Sequence, residues 1–323
     1  MLSAKEYQVL KTWGIESVSY SALPEGGTIN TMVRLEAPQG TFFLRQARKD
    51  KTVQALQTEL RVMRHAAQAG LPVVLPVKTL DGEAFAELDG SIFTLFPKAE
   101  GRQVARRDLG DVELQALGKM LARLTLALED CPDTEVVRRS FSASTDETLA
   151  VLERLESHIR ALPETKAEAV VLKHLASRRR YLQTEQPRLL TENLNVQVSH
   201  GDFHDENVFF GAEGVCAIID WDQVRVVPRY FELLRTSHFL SERLEPRKVA
   251  VFVQAFLDAY PVDSTELAAT VELYTAERAH NIWVFEAVYF GGNERVRAFL
   301  PNANHAFIPF EHTWQTVWKH VKT

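Results

Sequence analysis

The sequence predicts an α+β protein with two lobes, an N-terminal antiparallel sheet lobe carrying one helix and a mainly helical C-terminal lobe. Three observations predict it. Short β-like runs separated by turn residues fill the first hundred positions, apolar residues then switch to helical spacing, and β-like pieces return once, at 196–222. A length of 323 residues exceeds what one minimal core requires and suits two lobes.

The elements follow in order. Runs 18–23 and 32–36 flank the turn-rich Pro24-Glu25-Gly26-Gly27-Thr28, and 41–46 follows Pro38-Gln39-Gly40, so two of these strands form a hairpin. Residues 51–69 place Leu56, Leu60 and Met63 at helical spacing and stop at Gly70. Runs 73–79, 83–88 and 91–96 are separated by Asp81-Gly82 and Asp89-Gly90, both hairpin-turn pairs. The sheet lobe thus spans 1–96, the segment 97–101 from Pro97 to Gly101 is a hinge, and the helical lobe is 102–323. In that lobe 108–128 carries Leu114, Leu117, Leu121 and Leu124 on one stripe, and 145–162, 164–184, 229–240 and 262–290 also read as helices. Arg178-Arg179-Arg180 lies in a helix of mixed charge and reads as a solvated face.

Composition narrows the function classes. With 46% hydrophobic, 25% charged and 9% aromatic residues the chain is ordinary for a globular enzyme and unlike a disordered chain, a collagen-like repeat or a coiled coil. Lys+Arg 37 against Asp+Glu 43 gives a net charge of −6, which argues against nucleic acid as a partner. No run approaches the ~18 apolar residues of a membrane span, and the opening MLSAKEYQVL lacks the pattern of a secretion signal. Cys131 and Cys216 form no C-x-x-C unit and read as reduced thiols. The expectation is a cytoplasmic protein, a monomer or weak dimer, with no membrane partner.

Chemistry concentrates in His200-Gly201-Asp202-Phe203-His204-Asp205-Glu206-Asn207, a polar cluster between two β-like segments. The run 215–219 then delivers Asp220 at the end of an apolar strand, followed by Trp221 and Asp222. A carboxylate from Asp220 and an amide oxygen from Asn207 suit Mg²⁺, a hard cation that takes few protein ligands and keeps other sites for water and phosphate. Asp202, nearby and off the metal, is placed to accept a proton from an attacking hydroxyl. Taken singly, each Asp or Asn also suits a turn cap; the ordered set points to chemistry.

His-Gly-Asp-x-His-x-x-Asn followed by Ile219-Asp220-Trp221-Asp222 resembles the aminoglycoside phosphotransferase and choline kinase-like family, which shares the protein-kinase fold. The likeness is strongest over 199–235 and extends over 20–101. Gly26-Gly27 ahead of Asn30, the Phe-Leu-Arg-Gln of Phe43–Gln46 and the later Ile-Asp-Trp resemble the branch with type II homoserine kinases. The resemblance implies ATP and Mg²⁺ as cofactors, Asp202 as catalytic base, and Asn207 and Asp220 as metal ligands. It implies Arg45 where protein kinases carry the phosphate-binding Lys, with Glu59 as its ion-pair partner. It further implies that Phe96 and Lys98 belong to the linker meeting adenine and that Gly26, Gly27 and Thr28 belong to the loop covering the phosphates, while His200 is a scaffold residue. A solvated charge at a strand end is the alternative for Arg45, an exposed helix residue for Glu59, and a plain hairpin turn for Gly26-Gly27. The family usually carries Tyr-Asp-Leu-Ala later in the chain, whose Asp braces the catalytic loop; here Glu232 stands in Tyr230-Phe231-Glu232-Leu233-Leu234, one methylene longer.

Acceptor-binding residues are expected at His204 and Asp205 and, on the 262–290 helix, at His280, Trp283 and Glu286, which fall at helical spacing with Tyr289. An aromatic and a carboxylate together suit an ammonium group; a core Trp with exposed neighbours is the alternative. The leading reading is an ATP- and Mg²⁺-dependent kinase of a small-molecule hydroxyl, the acceptor being an amino acid, amino alcohol, aminoglycoside or sugar. A protein Ser/Thr kinase of the same fold is the first alternative, opposed by the short segment between Asp220 and Arg229. A hydrolase binding a transition metal through His200, Asp202 and His204 leaves Asn207 and Asp220 unexplained. A non-catalytic nucleotide-binding protein is the remaining alternative, favoured only by Glu232.

Overall fold

The computed structural model describes residues 2–22, 31–132, 136–189, 194–301 and 306–322. Contacts divide the chain into two compact units: Met1–Val137 with Val198–Val226, and Arg138–Gln197 with Val227–Thr323.

The first unit is built on a five-stranded antiparallel sheet of β1 (Tyr20–Ala22), β2 (Thr31–Ala37), β3 (Gly40–Gln46), β4 (Ala86–Leu88) and β5 (Ser91–Pro97), in the order β1-β2-β3-β5-β4. The β2–β3 register sets Val33 against Leu44, and β5 sets Leu95 against Leu44 on the other side. Because side chains alternate across a strand, Val33, Leu35, Leu44 and Leu95 fall on one face. That face is buried against Val9 and Leu10 of α1 (Ala4–Leu10) and against Trp13 and Ile15. Each such side chain taken out of water contributes about 1.5–3 kcal/mol. The β4–β5 turn is Asp89-Gly90, with φ of 46° and 70°, as the hairpin reading requires.

Helix α1 has no counterpart in the sequence-based expectation of a single helix in this region. Its signal is a capping box, in which Ser3 and Glu6 each satisfy the other's backbone N–H. The expected helix at 51–69 is α2 (Val53–Gln68), capped by Thr52, whose hydroxyl accepts from the Ala55 N–H at 3.1 Å. The expected stripe at 108–128 is α3 (Asp111–Ala127), with Leu114, Leu117, Leu121 and Leu124 all buried.

One expected strand is corrected. Residues 73–79 form no strand of the sheet, and the run 83–88 shortens to β4. Ile218 N–H donates to Pro72 O at 2.8 Å and Val74 N–H donates to Ile218 O at 3.2 Å, beside β8 (Gly214–Ile218), while Val77 N–H donates to Leu95 O of β5 at 2.7 Å, so the run divides its bonds between two partners and forms a strand with neither. β8 pairs with β7 (Val208–Gly211), and Arg102 exchanges hydrogen bonds of 3.0 and 2.8 Å with Phe210 of β7. These bonds tie the β7–β8 hairpin to the first unit.

The second unit is helical: α4 (Thr145–Arg160), α5 (Lys166–Glu185), α6 (Phe231–Ser241), α7 (Pro246–Leu257), α8 (Ser264–His280), α9 (Trp283–Tyr289) and α10 (Phe310–Trp318). Leu152, Leu155 and Ile159 of α4, Val171, Leu175 and Leu182 of α5, and Phe285 and Val288 of α9 form one core. The expected helix over 262–290 is two helices, broken at Asn281 and Ile282. Arg178 of α5 explains the break. One of its nitrogens donates to Arg278 O, Ala279 O and Asn281 O at 3.1, 3.4 and 2.6 Å, satisfying the carbonyls that a helix end leaves open. The reading of Arg178 as a solvated residue is therefore corrected: its guanidinium is buried and lies 4.5 Å from the Phe307 ring centre.

Among the described residues no helix is long and apolar enough to cross a membrane. Both cysteines are free thiols.

Candidate active site

Asp202 lies in the loop between β6 (Val196–Ser199) and β7, and the loop is held from both sides. His200, fully buried, accepts the Asp202 N–H on Nδ1 at 3.2 Å and lies 3.0 Å from Ile219 O through Nε2. An imidazole that accepts on Nδ1 carries its proton on Nε2, so the ring donates to Ile219 O and links the loop to the residue before Asp220. Both ring nitrogens are engaged, which leaves none for the transition metal of the hydrolase alternative. Among the described residues no group of three or more His, Cys, Asp or Glu side chains is arranged to hold a metal ion.

Gly201 is required by close approach. Its φ is +80°, and a Cβ there would lie 1.9 Å from Gln223 O. This contact sets the Asp202 loop directly against the turn that follows Asp220.

Asn207 donates through Nδ2 to Asp202 O at 2.8 Å and to Asp202 Oδ2 at 3.1 Å, fixing the carboxylate relative to its own backbone. The amide oxygen of Asn207 is then the end turned away from Asp202, the atom a hard cation needs. His204, buried, accepts the Glu206 N–H on Nδ1 at 3.2 Å, and its Nε2 lies 3.5 Å from Asp202 Oδ1. Asp205 was expected to contact an acceptor, and this is corrected: its side chain has no exposure and is ion-paired with Arg106 at 2.9 Å.

Asp220 has φ 61° and ψ 61°, the left-handed region that a non-glycine residue enters at a cost. Surrounding protein raises its pKa, although part of the residue remains open to solvent; His200 opposes the rise, Asp202 adds to it, Arg45 opposes and Asp222 adds. Two carboxylates that repel each other beside an outward amide oxygen form a set that a divalent cation would relieve. The donor chemistry of Asn207 and Asp220, with Asp202 nearby, therefore fits a hard divalent cation such as Mg²⁺.

On the sheet, Arg45 of β3 stands opposite Thr94 of β5 and donates to its hydroxyl from Nε at 3.1 Å. Its guanidinium is buried, meets Glu59 Oε1 of α2 at 2.7 Å and lies 5.1 Å from the centre of the Phe96 ring. The structure thus joins Arg45 and Glu59 and rejects both surface alternatives. Lys98 N–H donates to Thr41 O at 3.1 Å, continuing the pairing beyond β5. Gly26, Gly27 and Thr28 lie outside the described residues.

Sequence reasoning missed Lys51 and gave Asp222 no role. Lys51 Nζ lies 2.9 Å from Glu59 Oε2 and 2.8 Å from Asp222 Oδ1. Burial would raise the Asp222 pKa, but the Lys51 hydrogen bond and charge, with Arg45 and Arg48, outweigh it and hold the carboxyl below its ordinary value. The residues are 171 positions apart, and no local pattern signals the pairing.

The remaining expected residues belong to the second unit. Glu232 is buried in the first turn of α6. His280 ends α8, and its Nδ1 lies 2.9 Å from the Thr148 hydroxyl. Trp283 and Glu286 are on α9, Trp283 being exposed and Glu286 half-buried. The helix break puts His280 on a different helix from the other two.

A family model described as the phosphotransferase enzyme family matches residues 22–267. The chain belongs to this family. A homoserine kinase of Bradyrhizobium diazoefficiens is 29% identical over 213 residues, covering 64% of this chain and 58% of that protein. The match thus spans less than two thirds of the length of that relative. Among solved structures, a spectinomycin phosphotransferase in complex with ADP and spectinomycin aligns over 99% of this family member and 94% of that chain, with a TM-score of 0.64 and 16% identity. An amicoumacin kinase in complex with AMP-PNP, Ca²⁺ and its ligand aligns over 90% and 91%, with a TM-score of 0.60 and 16% identity. These structures share the protein-kinase-like fold that the sequence predicts.

Proposed function

We propose that the chain is a kinase that moves the γ-phosphoryl group of ATP to a hydroxyl of a small molecule. The observation that carries this reading is the Asn207 clamp on Asp202, which commits the amide nitrogen to that carboxylate while the Asn207 backbone accepts from Ile219 N–H, next to Asp220, at 3.0 Å. Asp202 is the base: it orients the acceptor hydroxyl and takes its proton as the oxygen bonds to phosphorus and the bond to ADP breaks. Asn207 and Asp220 would hold Mg²⁺, which when bound offsets the charge of the phosphates. Arg45, kept in place by Glu59, meets the phosphates with a planar fork. Phe96 and Lys98 lie beside the adenine, and His200 holds the loop.

On this reading residues 1–96 bind nucleotide, 97–101 act as a hinge, and 102–323 carry the catalytic loop and the acceptor site. His204, Trp283, Glu286 and His280 are proposed to shape that site, and Glu232 to support the loop. The names of relatives, kinases of homoserine, spectinomycin and amicoumacin, support a small-molecule acceptor over a protein. The protein is proposed to work in the cytoplasm as a monomer or weak dimer.

The test is ATP consumption across amino acids, amino alcohols, aminoglycosides, sugars and a generic protein, with and without Mg²⁺. Turnover with a small hydroxyl compound only when Mg²⁺ is present is expected. Metal-independent turnover, or turnover only on protein, would overturn the reading.

A further inference from the structure

Two buried charges in the first unit have no part in the transfer chemistry just proposed. The side chains of Lys51 and Asp222 are 6% and 5% exposed. Lys51 touches Glu59 Oε2 and Asp222 Oδ1, while Glu59 Oε1 meets Arg45 and Asp222 Oδ2 meets Arg48 at 3.3 Å. Charge therefore alternates along Arg45, Glu59, Lys51, Asp222 and Arg48. The string begins at the guanidinium assigned to the phosphates and passes two residues from the carboxylate assigned to Mg²⁺.

Lys51 is the member that touches both carboxylates, and its backbone is fixed. It immediately precedes Thr52, the cap of α2, and its N–H donates to Arg48 O at 3.0 Å. Asp222 sits in the short turn Trp221–Gln223 directly after Asp220, beside the buried Trp221. A side chain fixed at its backbone and bonded through Nζ to two buried carboxylates couples the start of α2 to the Asp222 turn. Asp220 also needs outside support, since a left-handed non-glycine residue persists only where its surroundings hold it. Ions stripped of water cannot lose a partner cheaply, so the string resists rearrangement.

We infer that Lys51 is a positioning residue that sets the phosphate and metal sites together, holding Arg45 through Glu59 and the Asp220 turn through Asp222. The inference rests on the proposed function, and it makes a specific demand: nucleotide and Mg²⁺ must bind with a mutual enhancement that depends on Lys51.

The experiment measures ATP affinity by calorimetry with and without Mg²⁺ in the full chain and in Lys51→Met, Asp222→Asn, the double variant and Lys51→Arg. Hydrogen exchange of amides 220–224 in the metal-free proteins supplies a second readout. The Mg²⁺ enhancement of ATP affinity is expected to fall about tenfold in each of Lys51→Met and Asp222→Asn, and no further in the double variant than in the more affected single. Lys51→Arg keeps most of the enhancement, and amides 220–224 exchange faster in Lys51→Met than in wild type. Unchanged enhancement in both single variants, with only thermal stability lowered, would overturn the inference, as would fully additive losses. Should Lys51→Met fail to fold, Asp222→Asn carries the test, because it keeps the side-chain shape while removing the charge that pairs with Lys51. Wild-type protein whose ATP affinity ignores Mg²⁺ overturns the proposed function; a normal enhancement in wild type and variants alike overturns only the role of Lys51.

Discussion

Arg45 and Arg178 are equally hidden, each 4% exposed, yet their surroundings differ in kind. Arg45 faces a carboxylate at 2.7 Å, and the next charge along is again opposite in sign. Arg178 faces backbone carbonyls and aromatic rings, and burial, reinforced by Arg278 and opposed by Glu277, lowers its pKa to about 9. A guanidinium held by a carboxylate through one nitrogen is oriented by that ion pair without being used up by it. A guanidinium capping a helix end has one nitrogen committed to backbone carbonyls of the fold. The first unit places this buried charge in a string of ion pairs, and the second places it where the chain itself needs it.

The comparison has consequences of graded size. Largest is the expected loss in Asp202→Asn, on the order of 10³-fold in turnover with nucleotide affinity nearly unchanged, since the side chain is proposed to act on the acceptor and not on ATP. Single-turnover kinetics beside calorimetry checks it, and turnover within tenfold of wild type would break the assignment.

Next comes Arg178→Met, which strips the carbonyls at the end of α8 of a charged donor and is expected to cost about 3 kcal/mol of stability. Denaturant unfolding reads that loss. Nucleotide affinity is expected to stay as in wild type, and a matching fall in affinity would erase the contrast between the two arginines.

A double-mutant cycle sharpens the other side of the contrast. Arg45→Met and Glu59→Gln are each expected to weaken MgATP binding, with a coupling of about 1–3 kcal/mol because each works through the other. Strict additivity across the four proteins would make Glu59 a bystander.

The smallest expected effect is a pH dependence in the second unit. Burial, with Arg278, Arg235 and Arg178 adding to it, pushes the His238 pKa well below its ordinary value. The folded state then keeps the ring neutral while the unfolded chain binds a proton below about pH 6.5. Stability is therefore lost as pH falls through that value, by at most about 1.4 kcal/mol per pH unit for this group, and this contribution levels off above it. Thermal midpoints across pH 5–8 for wild type and His238→Gln measure the difference, and an unchanged acid slope in the variant would remove His238 as its source.

How far the sequence reaches depends on how local each arrangement is. The loop from His200 to Asn207 reads directly because its bonds run over two to five residues, as from Asn207 to Asp202. The break between α8 and α9 is hidden because apolar spacing continues through Asn281 while the residue that ends α8 comes from α5. Residues 73–79 look like a strand of the sheet because their pattern cannot say which backbone they lie beside.

By itself the sequence determined the α+β class and the closeness of Asp202, Asn207 and Asp220, since hydropathy period, turn chemistry and short spacings are properties of neighbouring residues, whereas Arg45 and Glu59 were singled out only by the resemblance to a known family. Only the tertiary structure decided that Lys51 joins Glu59 to Asp222, that Asp205 is sealed against Arg106, and that Arg178 is buried. Each of these depends on a partner far away in the chain. An ion buried beside a distant partner differs from a solvated one only in what surrounds it, and those surroundings exist only in the folded chain.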